Sequence, residues 1–98
     1  MSLIINIYYT GENGSARKFA NEMISKGIVD RIRKEDGNLR YEYFFPLEEP
    51  ETVLLIDEWK DEEALDRHHK SQMMKDIAEL REKHHLKMKV KKYKEWED

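Results

Sequence analysis

The sequence has no cysteine, which excludes disulfides, thiolate metal sites and a thiol nucleophile, and points to a cytoplasmic setting. It has no apolar run long enough to span a membrane, and the apolar stretch near its start is too short for a signal peptide. An excess of positive charge is also missing. Lys and Arg number 18 against 21 Asp and Glu, for a formal net charge of -3, so nothing draws the chain generally to nucleic acid or to a membrane surface. No internal repeat, low-complexity segment or long linker divides the 98 residues, which are expected to form one domain over 1–98. What is present is a chain that is 40% charged and 39% hydrophobic. Its core is modest, so a second copy that covers apolar surface would add stability.

Leu3 to Tyr9 is apolar on both faces except at Asn6, the pattern of a central strand, and Gly11 and Asn13-Gly14 close it. From Ser15, a plausible N-cap, Phe19, Ala20, Met23, Ile24, Ile28 and Ile32 recur at three- and four-residue steps. That spacing predicts an amphipathic helix that leaves at Asp36-Gly37, with Gly27 as an interior point of bending or close approach. Asn38 to Pro46 alternates Leu39, Tyr41, Tyr43 and Phe45 with more polar positions and reads as an edge strand. Thr52 to Trp59 is a second doubly apolar strand until Asp57. Asp61 can cap a helix with Glu62 and Glu63 in its first turn and Ala64, Leu65 and His68 on one stripe. Ser71 restarts a helical pattern that runs to about Lys83, and Leu86, Met88 and Val90 then alternate with lysines in a fourth strand.

The order β-α-β-β-α-β points to a ferredoxin-like α+β fold, an antiparallel sheet in the spatial order four, one, three, two, with helices on one face. The two doubly apolar strands then fall in the middle. Their second apolar face needs cover, and a homodimer with sheets face to face supplies it.

Gly37-Asn-Leu-Arg-Tyr41, the strand Leu-Ile-Asp-Glu-Trp59, the helix start Asp-Glu-Glu-Ala-Leu65 and His68-His-Lys-Ser71 together resemble the antibiotic biosynthesis monooxygenase family over most of the chain. The resemblance implies a dimeric α/β barrel and, among small stand-alone members, cofactor-independent oxygenases of quinols or polyketide aromatics. It implies a pocket between sheet and helices near the residues matching His68 and Trp59. The same superfamily contains haem-degrading enzymes. Asn6 fits their asparagine, but His68 stands where their tryptophan is expected and Ala78 where their iron-ligating histidine is expected, so haem degradation is disfavoured and no cofactor is expected. Isomerases of small phosphorylated signalling molecules also belong, and membership alone assigns no reaction.

The stretch from Leu55 to Ser71 gathers the candidate chemistry. His68 is the candidate base, since an imidazole accepts a proton near neutral pH and a quinol that loses one becomes electron-rich enough to meet dioxygen. Asn6 is the candidate to hold the substrate oxygen. Trp59, Tyr41 and Tyr43 are candidates for an aromatic wall against a planar aromatic substrate, and Met74 for an adaptable one. Each also has a structural reading: His68 and Asn6 as hydrogen-bonded core-edge groups, the aromatic residues and Met74 as packing. No metal is expected, because the pairs His68-His69 and His84-His85 point their members about 100° apart on a helix. The lysines from Lys87 to Lys94 read as a solvated strand face. Two rival functions stay open, a non-catalytic dimeric module that binds a small hydrophobic metabolite and an isomerase using Lys26 or Lys70 as an anion site.

Overall fold

The computed structural model describes residues 1–96. In chain order it contains β1 (Leu3–Thr10), α1 (Ser15–Ser25), α2 (Ile28–Arg33), β2 (Asn38–Phe44), β3 (Thr52–Trp59), α3 (Glu62–His69), α4 (Met73–Lys83) and β4 (Lys87–Lys94). The strands pair antiparallel in the order β2-β3-β1-β4, which is the order four, one, three, two seen from the other edge. This is the α+β ferredoxin-like fold, and within one chain the sheet stays open because β2 and β4 do not meet.

Register decides which face each side chain takes, because neighbours along a strand point to opposite sides. Leu3 lies opposite Trp59, Ile5 opposite Asp57 and Ile7 opposite Leu55, and Tyr41 and Tyr43 lie opposite Asp57 and Leu55. These odd-numbered residues face the helices. They pack with Phe19 and Met23 of α1, Ile28, Val29 and Ile32 of α2, Leu65 of α3, and Ile77 and Leu80 of α4. The alternate residues Ile4, Asn6 and Tyr8 of β1, and Leu54, Ile56 and Glu58 of β3, fall on the helix-free face and are half-buried.

The first long helix of the sequence reading is two helices, and the second helical stretch restarts near Ser71 as its pattern implied. Gly27 adopts φ +76 between α1 and α2, a conformation that costs an L side chain about 1–2 kcal/mol. A Cβ there would meet nothing within 4 Å, so the backbone conformation, not crowding, calls for glycine. The turn leaves Ile24 exposed although spacing placed it on the apolar stripe. Ser15 is the first helical residue rather than the cap. Gly14 holds the cap position, and the Ser15 hydroxyl accepts from the Glu12 N–H at 3.1 Å. The second break follows His69, where the Ser71 N–H at 3.0 Å and the Ser71 hydroxyl at 2.7 Å both donate to the His68 carbonyl at the end of the helix. At the sheet edge the whole of β4 is exposed, with Met88, Val90 and Lys92 opposite Tyr9, Ile7 and Ile5 and therefore on the helix side.

Candidate active site

Asp61 starts the site by ordering α3. Its carboxylate accepts the Ala64 N–H at 2.9 Å, an N-cap worth about 1 kcal/mol, and Glu62 and Glu63 add favourable charge to the first turn. The helix so fixed turns Ala64, Leu65 and His68 onto the sheet, and all three are buried. The His68 ring stacks on the Trp59 indole with centroids 4.7 Å apart and planes 29° from parallel. Glu35, in the turn after α2, brings Oε2 to 2.7 Å from His68 Nδ1. A carboxylate only accepts hydrogen bonds, so Nδ1 carries the hydrogen and a neutral ring presents the Nε2 lone pair. Glu35 is itself held by the tight exit of α2, with its N–H donating to the Ile32 carbonyl at 3.0 Å and its carbonyl accepting the Asn38 N–H at 3.1 Å.

His68 lines a cavity of about 230 Å³ between the sheet and the α3–α4 pair. Its floor is Ile5, Ile7 and Tyr9 of β1 with Tyr41, Leu55 and Asp57 of the neighbouring strands. Met74, Ile77 and Arg81 of α4 form the roof, and Met88, Val90 and Lys92 of β4 form the open rim. The volume falls below the roughly 300–1,000 Å³ typical of pockets for drug-sized ligands, which suits about one ring.

Asp57 is the unusual member of this wall. It is 4% exposed, and its carboxyl is pushed up from 3.8 to about 7. Burial is the main cause; the Trp59 indole N–H nearby lowers the value and the charge of Glu35 raises it. Indole and carboxyl nevertheless make no well-aligned hydrogen bond, and among the described residues both Asp57 Oδ1 and Trp59 Nε1 are sealed without a partner. Burial also holds the hydroxyls of Tyr9 and Tyr41 well above their ordinary value, so both stay neutral donors. His69, at the edge of the cavity, is pushed down by burial and then by His68 and Lys92.

Of the residues singled out from the sequence, His68, Tyr41 and Met74 come together on this cavity. Trp59 does not touch it; fully buried, it backs His68. Tyr43 packs against Phe19 and Tyr41 at 6.4 and 5.9 Å between ring centroids, behind the wall. Asn6 requires a correction. It lies opposite Ile56 and Lys91, on the helix-free face, so the sheet separates it from His68. Sequence alone could not have settled this, because β1 is apolar on both faces and only its register with Trp59 fixes which face Asn6 takes. Lys26 pairs with Glu22 at 3.3 Å and lines a separate groove with Arg31 and Asp76. The cations on the cavity are instead Arg81 and Lys92. Among the described residues no group of three His, Cys, Asp or Glu side chains is arranged to hold a metal ion, and His84 is bound to Glu22 at 2.6 Å.

Asp57, Arg81 and Lys92 on the cavity wall, and Glu35 behind His68, are the groups that sequence reading did not select. Asp57 shares strand parity with Trp59, and Arg81 lies one turn after Ile77, so periodicity held a signal for both. Glu35 stands 33 residues from His68, and no local pattern joins them.

A family model described as antibiotic biosynthesis monooxygenase matches residues 2–80. The chain belongs to the antibiotic biosynthesis monooxygenase family. Its relatives include YcnE of Bacillus subtilis (strain 168), provisionally named a monooxygenase, which is 26% identical over 69 residues covering 70% of each chain. A Deinococcus radiodurans structure, provisionally described as an antibiotic biosynthesis monooxygenase, superimposes with TM-score 0.84 at 18% identity, over 98% of this chain and 94% of that one. A variant of SnoaB, a cofactor-independent oxygenase from Streptomyces nogalater, superimposes with TM-score 0.81 at 10% identity, over 99% of this chain and 95% of that one. At these identities the two structures speak for the fold. The family membership supports a monooxygenase-like function.

Proposed function

We propose that this member of the family is a cofactor-independent monooxygenase of a small quinol or phenol, bound in the cavity beside His68. The observation that carries the reading is the Glu35–His68 pair. A buried imidazole is oriented by a carboxylate on one nitrogen, backed by an indole, and placed on the wall of a ring-sized cavity. His68 Nε2 takes the hydroxyl proton of the substrate, and the electron-rich ring forms a carbon–oxygen bond with dioxygen. The resulting hydroperoxide loses the ring proton at that carbon as the O–O bond breaks, leaving a carbonyl and releasing hydroxide that is protonated to water. A quinol and one dioxygen thus give a hydroxyquinone and one water, and the ring supplies all four electrons. General base catalysis of the first step contributes on the order of 10²–10⁴ in rate.

The same reading makes the functional unit a homodimer. Ile4, Tyr8, Leu54 and Ile56 form a half-buried apolar stripe on the helix-free face, and Asn6 Oδ1 in its midst has no partner among the described residues. A second sheet packed there would bury the stripe and supply donors.

Oxygen uptake with a panel of single-ring quinols and phenols tests the function. Wild type is expected to turn over at least one compound, and His68→Ala to lose about 100-fold or more of that rate while keeping its circular dichroism and melting transition. Unchanged turnover in His68→Ala would remove the base. Binding of ring compounds by wild type with no uptake across the panel would make the protein a sequestering module instead.

A further inference from the structure

The floor of the cavity holds a carboxyl that the proton transfer to His68 does not use. Asp57 sits in the floor, opposite Ile5 and Tyr41 in the sheet register, and is almost fully buried; among the described residues its sealed Oδ1 has no partner, which leaves Oδ2 as the oxygen that meets the cavity. A buried carboxyl without a salt-bridge partner costs far less neutral than charged. In the neutral form it has something most buried carboxylates lack, an O–H to donate. Trp59 links it to the base, since the same indole stacks on His68 and points its N–H side towards Asp57. A ring lying against His68 in so small a space therefore has Asp57 within the same cavity wall.

Resting on the reading above, we propose that Asp57 is a substrate-binding hydrogen-bond donor for a carbonyl oxygen, so that the substrates are phenols or enols conjugated to a carbonyl group. The chemistry gives the choice its direction. When His68 takes the hydroxyl proton, conjugation carries the negative charge to the carbonyl oxygen, and a neutral carboxyl in an apolar setting stabilises charge that appears there. A simple phenol has no atom to receive that bond and leaves Asp57 unpaired, and polar sites discriminate strongly against analogues that leave them so.

The groups facing Asp57 from each element are Tyr9 of β1, Tyr41 and Tyr43 of β2, Glu35 after α2, and His68 and His69 of α3, with Arg81 of α4 and Lys92 of β4 on the remaining wall. The tyrosines are held neutral by burial. Comparison with Asp57→Asn isolates the carboxyl from the others, since the amide still donates and does not titrate.

The test is anaerobic titration calorimetry with 4-hydroxyacetophenone and its shape-matched analogue 4-isopropylphenol, together with the absorbance of the bound ketone, which moves to longer wavelength when the phenol ionises. Wild type at pH 6 is expected to prefer the ketone by about tenfold or more and to bind it with the phenolate absorbance. Asp57→Leu should bind both compounds equally, without that absorbance. Asp57→Asn should keep most of the preference. Above pH 7, wild-type affinity for the ketone should fall by about tenfold per pH unit relative to Asp57→Asn. Equal affinities in wild type, a preference that survives in Asp57→Leu, or parallel pH profiles of wild type and Asp57→Asn would each overturn the proposal. Should Asp57→Leu fail to fold, the wild-type preference and the Asp57→Asn profile decide alone. Because oxygen is absent, the expected binding pattern in a protein that shows no oxygen uptake in air would sink the monooxygenase reading and leave this inference standing.

Discussion

Asp57→Asn is expected to make the protein more stable at pH 8 and to flatten part of its stability profile. In the unfolded chain Asp57 ionises at its ordinary value of 3.8, whereas in the fold it holds its proton to about 7. Between those values the native state binds a proton that the unfolded state has released, so stability falls as pH rises, by about 1.4 kcal/mol per pH unit from this group. The stability is fully present below pH 3.8 and lost as pH passes about 7, a total of roughly 4 kcal/mol. The side chain is 4% exposed, so little solvent screening reduces the figure. An asparagine of the same shape has no such dependence and costs only the burial of an amide, about 1–3 kcal/mol if unpaired. The assay is urea unfolding of both proteins at pH 5, 6, 7 and 8. The difference in unfolding free energy should swing towards the variant by about 3 kcal/mol between pH 5 and pH 8 and level off beyond. A difference that stays constant over this range would refute the raised ionisation of Asp57 and the burial argument behind it.

Glu35→Gln should keep the fold but lower oxygen uptake by about tenfold to 1,000-fold, because an amide can present either of its ends to Nδ1 and no longer fixes which nitrogen of His68 carries the hydrogen; retained uptake would show that the pairing is structural only. Gly27→Ala and Gly37→Ala make a matched pair, since both residues have positive φ. Gly27 has open space around its missing Cβ and should cost about 1–2 kcal/mol in thermal unfolding, whereas a Cβ on Gly37 would approach the Ala64 Cβ to 2.5 Å and should cost about 2–4 kcal/mol and disturb the adjacent Glu35. Ile56→Lys, on the helix-free face, should shift sedimentation from dimer to monomer at micromolar concentration; a wild type that already sediments as a monomer would refute the dimer.

Much of the fold was legible because its signals are local or repetitive. Two strands apolar on both faces and two that alternate are enough to place the former in the middle, and Asp61 announced the start of α3. What failed depended on geometry that pattern cannot carry. Ser71 was legible as a restart, but Gly27 lies inside continuous helical periodicity that allows a bend as readily as a stop, and only its backbone turn shows that the helix ends there. Asn6 and His68 were assigned to one site because both are polar islands on apolar ground, a criterion blind to strand parity until Leu3 is set opposite Trp59. Asp57 was visible as a carboxylate inside an apolar strand, but its standing as the most perturbed acid in the cavity comes from tertiary burial.

β1 is the centre of the sheet, and both its partners lie far along the chain, with Leu3 opposite Trp59 and opposite Lys94. On the ribosome it is therefore the first strand made and the last to be flanked. At roughly 5–20 residues per second, more than fifty residues must follow Leu3 before any strand can pair with it, a wait of about 3–10 s with both apolar faces uncovered. Nascent chains arrested at Pro50 are expected to be cut readily by protease within Leu3–Tyr9, and chains arrested once β4 has left the exit tunnel to be protected there. The residues that give the finished sheet its middle are also those that most need shielding while it is being synthesised.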